Sequence, residues 1–370
     1  MNLENIKLSE KTKKNLLKVG YNKLTSIQEK AIPLILQGKD VVGQSCTGTG
    51  KSAGFIIPVL EKLQSGTFPQ VVILVPTREL ALQVSEEARK LSQHTKLITL
   101  SIYGGVPIQK QLNVFWRGAD IVVGTPGRII DHLGRKSFQT NHLKFVIIDE
   151  VDKMIEKGFL EDIEKIIKKT PSSRQTLLFS ATITPQVKIF SQHYLKSPEY
   201  IIGETENLER NNIQQYYIET PFSKKTQVLV DFLCLHRTKS TIIFTSTKRQ
   251  AEKLNETLRK EGLFSDYLHS DLSQNRRIKV LGEFKDKKIA LLVATDIAAR
   301  GLDVKNISYV INYDLPQNTE FYVHRIGRTG RAGSSGKAVS FISSTKEKIQ
   351  LRKISQEKKY KIEPLTLQKK

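Results

Sequence analysis

The chain reads as an α/β protein of two domains in tandem, each built on a parallel sheet, and three observations predict this. Its 370 residues exceed what one ordinary core accommodates, and a hydrophobic content of 39% is enough to fill two. Short apolar, β-rich runs alternate with stretches whose apolar residues recur at helical spacing, as right-handed βαβ crossovers require. The alternation breaks once, in the polar stretch GETENLERNN at 203–212, and then starts again. The expected division is therefore a first domain at 1–202, a linker at 203–212 and a second domain at 213–370.

In order along the first domain, the apolar runs at 40–43, 71–75, 120–124, 145–148 and 176–179 are predicted strands. Residues 77–91 and 159–169 carry the apolar periodicity of crossover helices. After the linker, predicted strands follow at 214–219, 241–244, 265–268, 289–293, 309–312 and 337–342. The last 25 residues hold nine Lys or Arg against three acids and read as a helix with a frayed end, a short basic tail.

Charge narrows the function. The formal net charge is +22, divided almost evenly: 28 basic against 18 acidic residues in 1–200, and 31 against 19 in 201–370. Two basic halves suit a polyanionic partner that crosses both domains better than a basic appendage on a neutral enzyme. Cys46 and Cys234 are too few and too far apart in sequence to suggest a disulfide framework or a structural zinc site, which suits a reducing compartment. The N-terminus lacks an apolar signal segment, and no run approaches the length of a membrane span. A cytoplasmic monomer without membrane contact is expected.

Two motifs carry chemistry. Ser45 to Ser52 spell SCTGTGKS. Gly48 and Gly50 let backbone N–H groups approach phosphates, Lys51 reaches the outer pair, and the Ser52 hydroxyl is placed to ligate a metal. A strict phosphate-loop pattern has Gly where this chain has Ser45. About a hundred residues on, Asp149, Glu150, Val151 and Asp152 follow the apolar run at 145–148. One carboxylate there can hold magnesium, and the next can aim or deprotonate a water. A strand end with acids is also ordinary solvated surface in α/β proteins; the pairing with the Gly-Lys-Ser loop favours an ATP site with Mg2+. The second domain has no such loop but has YVHRIGRTGR at 322–331, with arginines three apart. Forked, permanently charged guanidinium groups suit transition-state phosphate charge. A structural ion-pair helix and an RNA-binding loop are the alternative readings. Asp296 and Asp303, after a buried strand, could accept a ribose hydroxyl.

Taken in order, these segments resemble the DEAD-box ATP-dependent RNA helicases along nearly the whole chain. GYNKLTSIQ resembles the Q motif, SCTGTGKS motif I, PTREL motif Ia, Gly104 and Gly105 the double glycine, TPGR motif Ib, DEVD motif II and SAT motif III. In the second half, IIFTST resembles motif IV, SQNRR the Gln and Arg element, ATDIAARGLD motif V and HRIGRTGR motif VI. The resemblance implies two RecA-like domains. It further implies that Tyr21 stacks on adenine and Gln28 bonds its edge, as an amide with both donor and acceptors can. Ser45, Cys46, Thr47, Gly48, Thr49, Gly50, Lys51 and Ser52 would hold the phosphates, Ser52 and Asp149 the magnesium, and Asp296 the ribose. Lys51, Asp149, Glu150, Arg328 and Arg331 would be catalytic, the arginines as fingers from the second domain. Asp152, Ser180, Thr182 and His324 would couple hydrolysis to RNA; without the resemblance, Ser180 and Thr182 read as a helix cap.

RNA contacts implied by the resemblance are Thr77, Arg78, Gly105, Thr125, Gly127 and Arg128 in the first domain, and Thr247, Arg276 and Thr295 in the second. These groups are suited to the sugar-phosphate backbone, so affinity should depend on salt and hardly on sequence. The chain departs from the family pattern at Leu3, Leu24, Ser45, Cys46, Val151 and Ser270, and none of these removes a catalytic group. Val151, where Ala is usual, points to packing. The implied activity is RNA-stimulated ATP hydrolysis coupled to local, non-processive opening of short duplexes, in ribosome assembly or RNA turnover. The rival is an ATP-gated RNA clamp or annealing scaffold.

Overall fold

The computed structural model describes residues 6–45, 49–115, 118–203, 213–236, 240–296, 307–330 and 335–366. The chain divides into two compact units, Met1–Glu206 and Asn207–Lys370. Each contains one seven-stranded, wholly parallel sheet.

The first sheet comprises β1 (Val41–Gln44), β2 (Val71–Leu74), β3 (Thr99–Ile102), β4 (Ile121–Gly124), β5 (Phe145–Asp149), β6 (Gln175–Ser180) and β7 (Glu199–Ile202). Their order across the sheet is β3-β4-β2-β5-β6-β1-β7. Side chains alternate across a strand, so neighbours enter different cores. Val41, Val71, Ile73 and Ile147 pack on one face, and Val42, Val72, Leu74 and Ile148 on the other. Helices cover both faces, which is why these strands read as continuous apolar runs rather than alternating ones. Each fully buried Val, Ile or Leu contributes about 1.5–3 kcal/mol.

The second sheet comprises β8 (Ile213–Glu219), β9 (Thr241–Phe244), β10 (Ser265–Leu268), β11 (Leu291–Ala294), β12 (Tyr309–Asn312), β13 (Gly336–Ile342) and β14 (Ile362–Pro364). The order β10-β11-β9-β12-β13-β8-β14 is that of the first sheet, strand for strand. Every predicted strand is present within two residues at either end.

Three strands escaped the sequence reading: β3, β7 and β14. All three lie at sheet edges, where one flank meets no neighbour and less apolar surface is buried. In β7 only Ile201 is buried, and β14 ends in Pro364, a residue that edge strands tolerate. The last of these corrects the reading of the C-terminus as a helix with a frayed end. The helix Thr345–Lys358 buries Leu351 and Ile354, Lys359 turns the chain at φ 55°, and β14 then pairs with β8. This basic segment is an integral edge of the sheet rather than a tail.

No helix among the described residues is long and apolar enough to cross a membrane.

Candidate functional site

In a parallel sheet every strand points the same way, so all loops following the strands emerge at one rim. Strand order then decides which loops are neighbours. In the first unit β6 lies between β1 and β5, which brings the phosphate loop after β1 to roughly two strand spacings, about 10 Å, from the carboxylates after β5. The loop is tied to that middle strand, since Ser45 N donates to Ser180 O at 3.0 Å.

Cys46, Thr47 and Gly48 lie outside the described residues; the rest of the loop is held tightly. Gly50 stands immediately before the helix Lys51–Lys62 with φ 82°, the left-handed region that favours glycine. A Cβ there would lie 2.5 Å from Gln28 Nε2. Gln28 is buried: its Nε2 donates to Gly50 O at 2.9 Å, and its Oε1 accepts from Thr25 N at 3.0 Å. The amide thus fastens the Q-motif helix, Ser26–Leu36, to the end of the phosphate loop, with one N–H and one lone pair to spare for a base edge. Tyr21 lies against the same core and donates its hydroxyl to Glu87 at 3.2 Å. Lys51, also buried, donates from Nζ to Ser45 O at 2.6 Å, and the Ser45 and Thr49 hydroxyls are 2.6 Å apart. Ser52 follows in the first turn of the helix.

Asp149 ends β5, and its Oδ1 accepts from Glu150 N at 2.9 Å. Burial pushes its carboxyl up to about 6; the Glu150 carboxylate also raises it, while Lys51 and Lys153 draw it down. A buried carboxylate under that strain fits a divalent cation, as does a left-handed glycine cradle beside a buried lysine for phosphates. Glu150 sits at φ 56°, ψ 46°, an uncommon backbone region for a non-glycine residue, at the entry to the short helix Val151–Glu156. Lys153, one turn on, pairs with it: Nζ is 2.8 Å from Glu150 Oε1, and both side chains are almost fully buried. The sequence reading missed Lys153. Its i,i+3 spacing from Glu150 was the available signal, but that spacing alone reads as a surface pair. Val151 is fully buried among Ile148, Met154 and Phe190, a packing residue.

Asp152 faces β6. Its Oδ2 accepts from Ala181 N at 3.2 Å, Thr182 N at 3.0 Å and Thr182 Oγ1 at 3.0 Å. Ser180 Oγ donates to Thr182 O at 2.7 Å. Thr184, not Ser180 or Thr182, caps the next helix, accepting from Val187 N at 3.3 Å. The SAT segment is therefore clamped to the carboxylate segment, and the helix-cap reading falls.

The candidate RNA groups stand along the same rim, on the loops after β2, β3 and β4. Thr77 caps the helix Arg78–Leu91 through Leu80 N at 3.2 Å. Arg78 lies so close over the double glycine that a Cβ on Gly105 would overlap its guanidinium. Thr125 precedes the helix Pro126–Gly134, the space a Cβ on Gly127 would enter is open, and Arg128 Nη2 donates to Val106 O at 3.1 Å.

In the second unit Thr247 likewise caps the helix Lys248–Lys260 after β9, accepting from Gln250 N at 3.2 Å. Thr295 follows β11, its N donating to Leu268 O at 3.2 Å. Arg276 is engaged by Asp266, with Nη2 at 2.8 and 2.7 Å from the two carboxylate oxygens. Asp296 is held in bidentate fashion by Arg325, through Nε at 2.6 Å and Nη2 at 2.8 Å. Arg325 also donates to Asn312 Oδ1 and Asp314 O and stacks over Phe244, so the first of the three arginines is structural. His324 lies in the helix Thr319–Ile326, and Arg328 Nε donates to its carbonyl at 3.1 Å. Arg331 and Asp303 lie outside the described residues.

Comparison with known proteins agrees with this arrangement. The DEAD/DEAH box helicase family matches residues 25–190, and the helicase conserved C-terminal domain matches residues 224–333. The DEAD-box ATP-dependent RNA helicase CshA of Geobacillus kaustophilus is 43% identical over 357 residues, 96% of this chain and 76% of that protein. Its Bacillus subtilis counterpart is 42% identical over 361 residues, 97% of this chain and 73% of that protein. The solved structure of Saccharomyces cerevisiae Dbp5 bound to RNA and ADP BeF3 aligns with TM-score 0.89 and 30% identity, covering 98% of this chain and 95% of that one. With two RecA-like units, the motifs set along one rim and relatives this similar over almost its full length, the chain belongs to the DEAD-box family of ATP-dependent RNA helicases.

Proposed function

We propose that the chain hydrolyses ATP when RNA is bound and uses the cycle to open short RNA duplexes locally, without processive travel. The observation that carries this reading is the Asp152 clamp. It joins the segment bearing Asp149 and Glu150 to Ser180, Ala181 and Thr182 on the neighbouring strand, so a shift in either is felt by the other. ATP would lie with its adenine at Tyr21 and Gln28 and its phosphates on residues 45–52. Magnesium, held by Ser52 and through Asp149, would neutralise phosphate charge. Glu150 would orient and deprotonate the attacking water, with Lys51 on the outer phosphates. Arg328 and Arg331 of the second unit would supply the remaining positive charge as that unit closes on the first, and Asp296 would bind the ribose.

RNA would run along Thr77, Arg78, Gly105, Thr125, Gly127 and Arg128, continuing on Thr247, Arg276 and Thr295. Small residues and helix starts recognise backbone rather than bases, which supports a sequence-tolerant role in ribosome assembly or RNA turnover. The test is a short-duplex unwinding assay with ATP and with a nonhydrolysable analogue, with Arg328→Ala as control. Strand release with ATP that Arg328→Ala slows by roughly a thousandfold supports the reading. RNA binding in both conditions with release in neither identifies an ATP-gated clamp instead.

A further inference from the structure

The opposite end of the first sheet carries a second concentration of positive charge. A cavity of about 560 Å³ opens where β1, β5, β6 and β7 begin, and it is lined by Lys39, Lys62, Lys144, Arg174 and Lys196 with a single carboxylate, Asp40. The strands between are four to six residues long, so roughly 13–20 Å of sheet separates this cavity from the phosphate loop.

Asp40 does little to neutralise the five cations. Its Oδ1 accepts from Thr176 N at 2.8 Å and its Oδ2 from Lys196 N at 2.7 Å, so both oxygens brace the floor of the cavity. The cations are steered by neutral oxygens instead. Lys62 Nζ donates to Ile35 O at 3.1 Å, and Lys144 Nζ to Gln70 Oε1 at 2.9 Å. Lys196 Nζ donates to Ser172 O, and Arg174 donates to Pro171 O at 3.1 Å and Tyr194 O at 3.4 Å. Carbonyl oxygens fix a cation's position without cancelling its charge.

Two further observations mark a demand for an anion. Arg174 Nε is buried without a hydrogen-bond partner. A guanidinium cannot shed its proton to relieve this, so a ligand oxygen is the available remedy. Burial also lowers the pKa of both Lys62 and Arg174, the signature of cations drawn out of water without a compensating charge. A solvated basic surface, by contrast, keeps its cations hydrated and apart.

We propose that this cavity is an anion site, separate from the ATP and RNA rim, that takes a ligand with two or more closely spaced phosphates. One phosphate engages about two cations, so five cations call for several negative charges held close together. The volume lies in the range of small-ligand pockets, roughly 300–1,000 Å³. The chemistry is shared by a free small polyphosphate and by a stretch of RNA backbone.

Inorganic tripolyphosphate is the probe, titrated calorimetrically into the full chain at about 150 mM salt. A saturating nonhydrolysable ATP analogue and excess magnesium keep the Lys51 loop filled. The expected result is one tripolyphosphate bound per chain, with affinity weakened at least tenfold in Lys144→Gln/Arg174→Gln. Because Arg174 also braces two carbonyls, the exposed pair Lys39→Gln/Lys196→Gln serves as a second variant and should weaken binding similarly. Both variants should keep wild-type RNA-stimulated ATPase. Repeating the titration with single-stranded RNA present distinguishes the sources: displacement by RNA, lost in the same variants, assigns the site to a nucleic acid strand, and undiminished binding assigns it to a free anion. No binding to wild type, or equal binding by wild type and both variants, overturns the proposal.

Discussion

The pairing of Glu150 with Lys153 gives the most direct test of how the candidate base is held. With Lys153 removed, Glu150 is a buried carboxylate without its cation and takes up a proton more readily, which disables it as a base. Lys153→Met should therefore lower kcat about tenfold or more with little change in the KM for ATP, and Lys153→Arg should recover part of the loss. Glu150→Gln should keep ATP binding and lose turnover by roughly 10²–10⁴-fold. If Lys153 acts through Glu150, the two losses do not add, and steady-state kinetics on the double variant measures this. Additive losses would show that Lys153 serves the fold alone. A second residue sets a pH dependence. His132 is fully buried, with Nδ1 2.9 Å from Ser137 Oγ and Nε2 3.1 Å from Gln111 Oε1, a pair of contacts that the neutral ring satisfies. Burial, with Arg128 nearby, pushes its pKa down to about 4. The unfolded chain protonates this histidine near pH 6.5 while the folded one resists until about pH 4. Its contribution to stability is thus present above pH 6.5 and is lost as pH falls towards 4. Thermal melts at pH 7.5 and pH 5 should show wild type losing up to about 2 kcal/mol more than His132→Gln. Parallel losses would exclude His132 as the cause.

Among the elements, β14 makes the clearest prediction. It shields the outer edge of β8, and Leu365 N donates to Tyr217 O at 2.8 Å just beyond it. Ending the chain after Lys359 would expose that edge and remove buried Tyr360. The expected outcome is a second unit less stable by about 2–4 kcal/mol and prone to edge-to-edge association, read by thermal melting and light scattering. An unchanged melt would mean that β14 adds nothing to the sheet. The same strand shows what the sequence conceals. Central strands such as β2, with both faces buried, announce themselves as VVIL. Edge strands bury half as much and carry polar residues, so β3, β7 and β14 passed as loop. The site followed a similar rule. Lys51, Asp149 and Asp152 were legible because phosphate and metal chemistry demands those residue types in that order. Lys153, and the roles of Arg325 and Gln28 as fasteners, depend on which side chains meet across elements, and one-dimensional spacing does not encode that.

For the whole molecule, the even spread of +22 charge makes electrostatics a property of both units. RNA affinity should fall on the order of 10–100-fold between 50 and 200 mM salt while varying little with base sequence, as fluorescence anisotropy with unrelated oligonucleotides would show. Strong dependence on sequence at constant salt would argue for base readout instead. The repetition of one strand order in both sheets carries a different consequence, for reaction order. Only one copy has a Gly-Lys-Ser loop; the matching strand of the other, β8, runs into Thr220 and Pro221. A machine built from separate subunits, one lending arginines to its neighbour, would lose activity on dilution. Here both copies are joined in one polypeptide, at an effective mutual concentration in the millimolar range. Specific activity at saturating ATP and RNA should therefore stay constant from micromolar to picomolar protein; a fall on dilution would reveal dependence on a second chain.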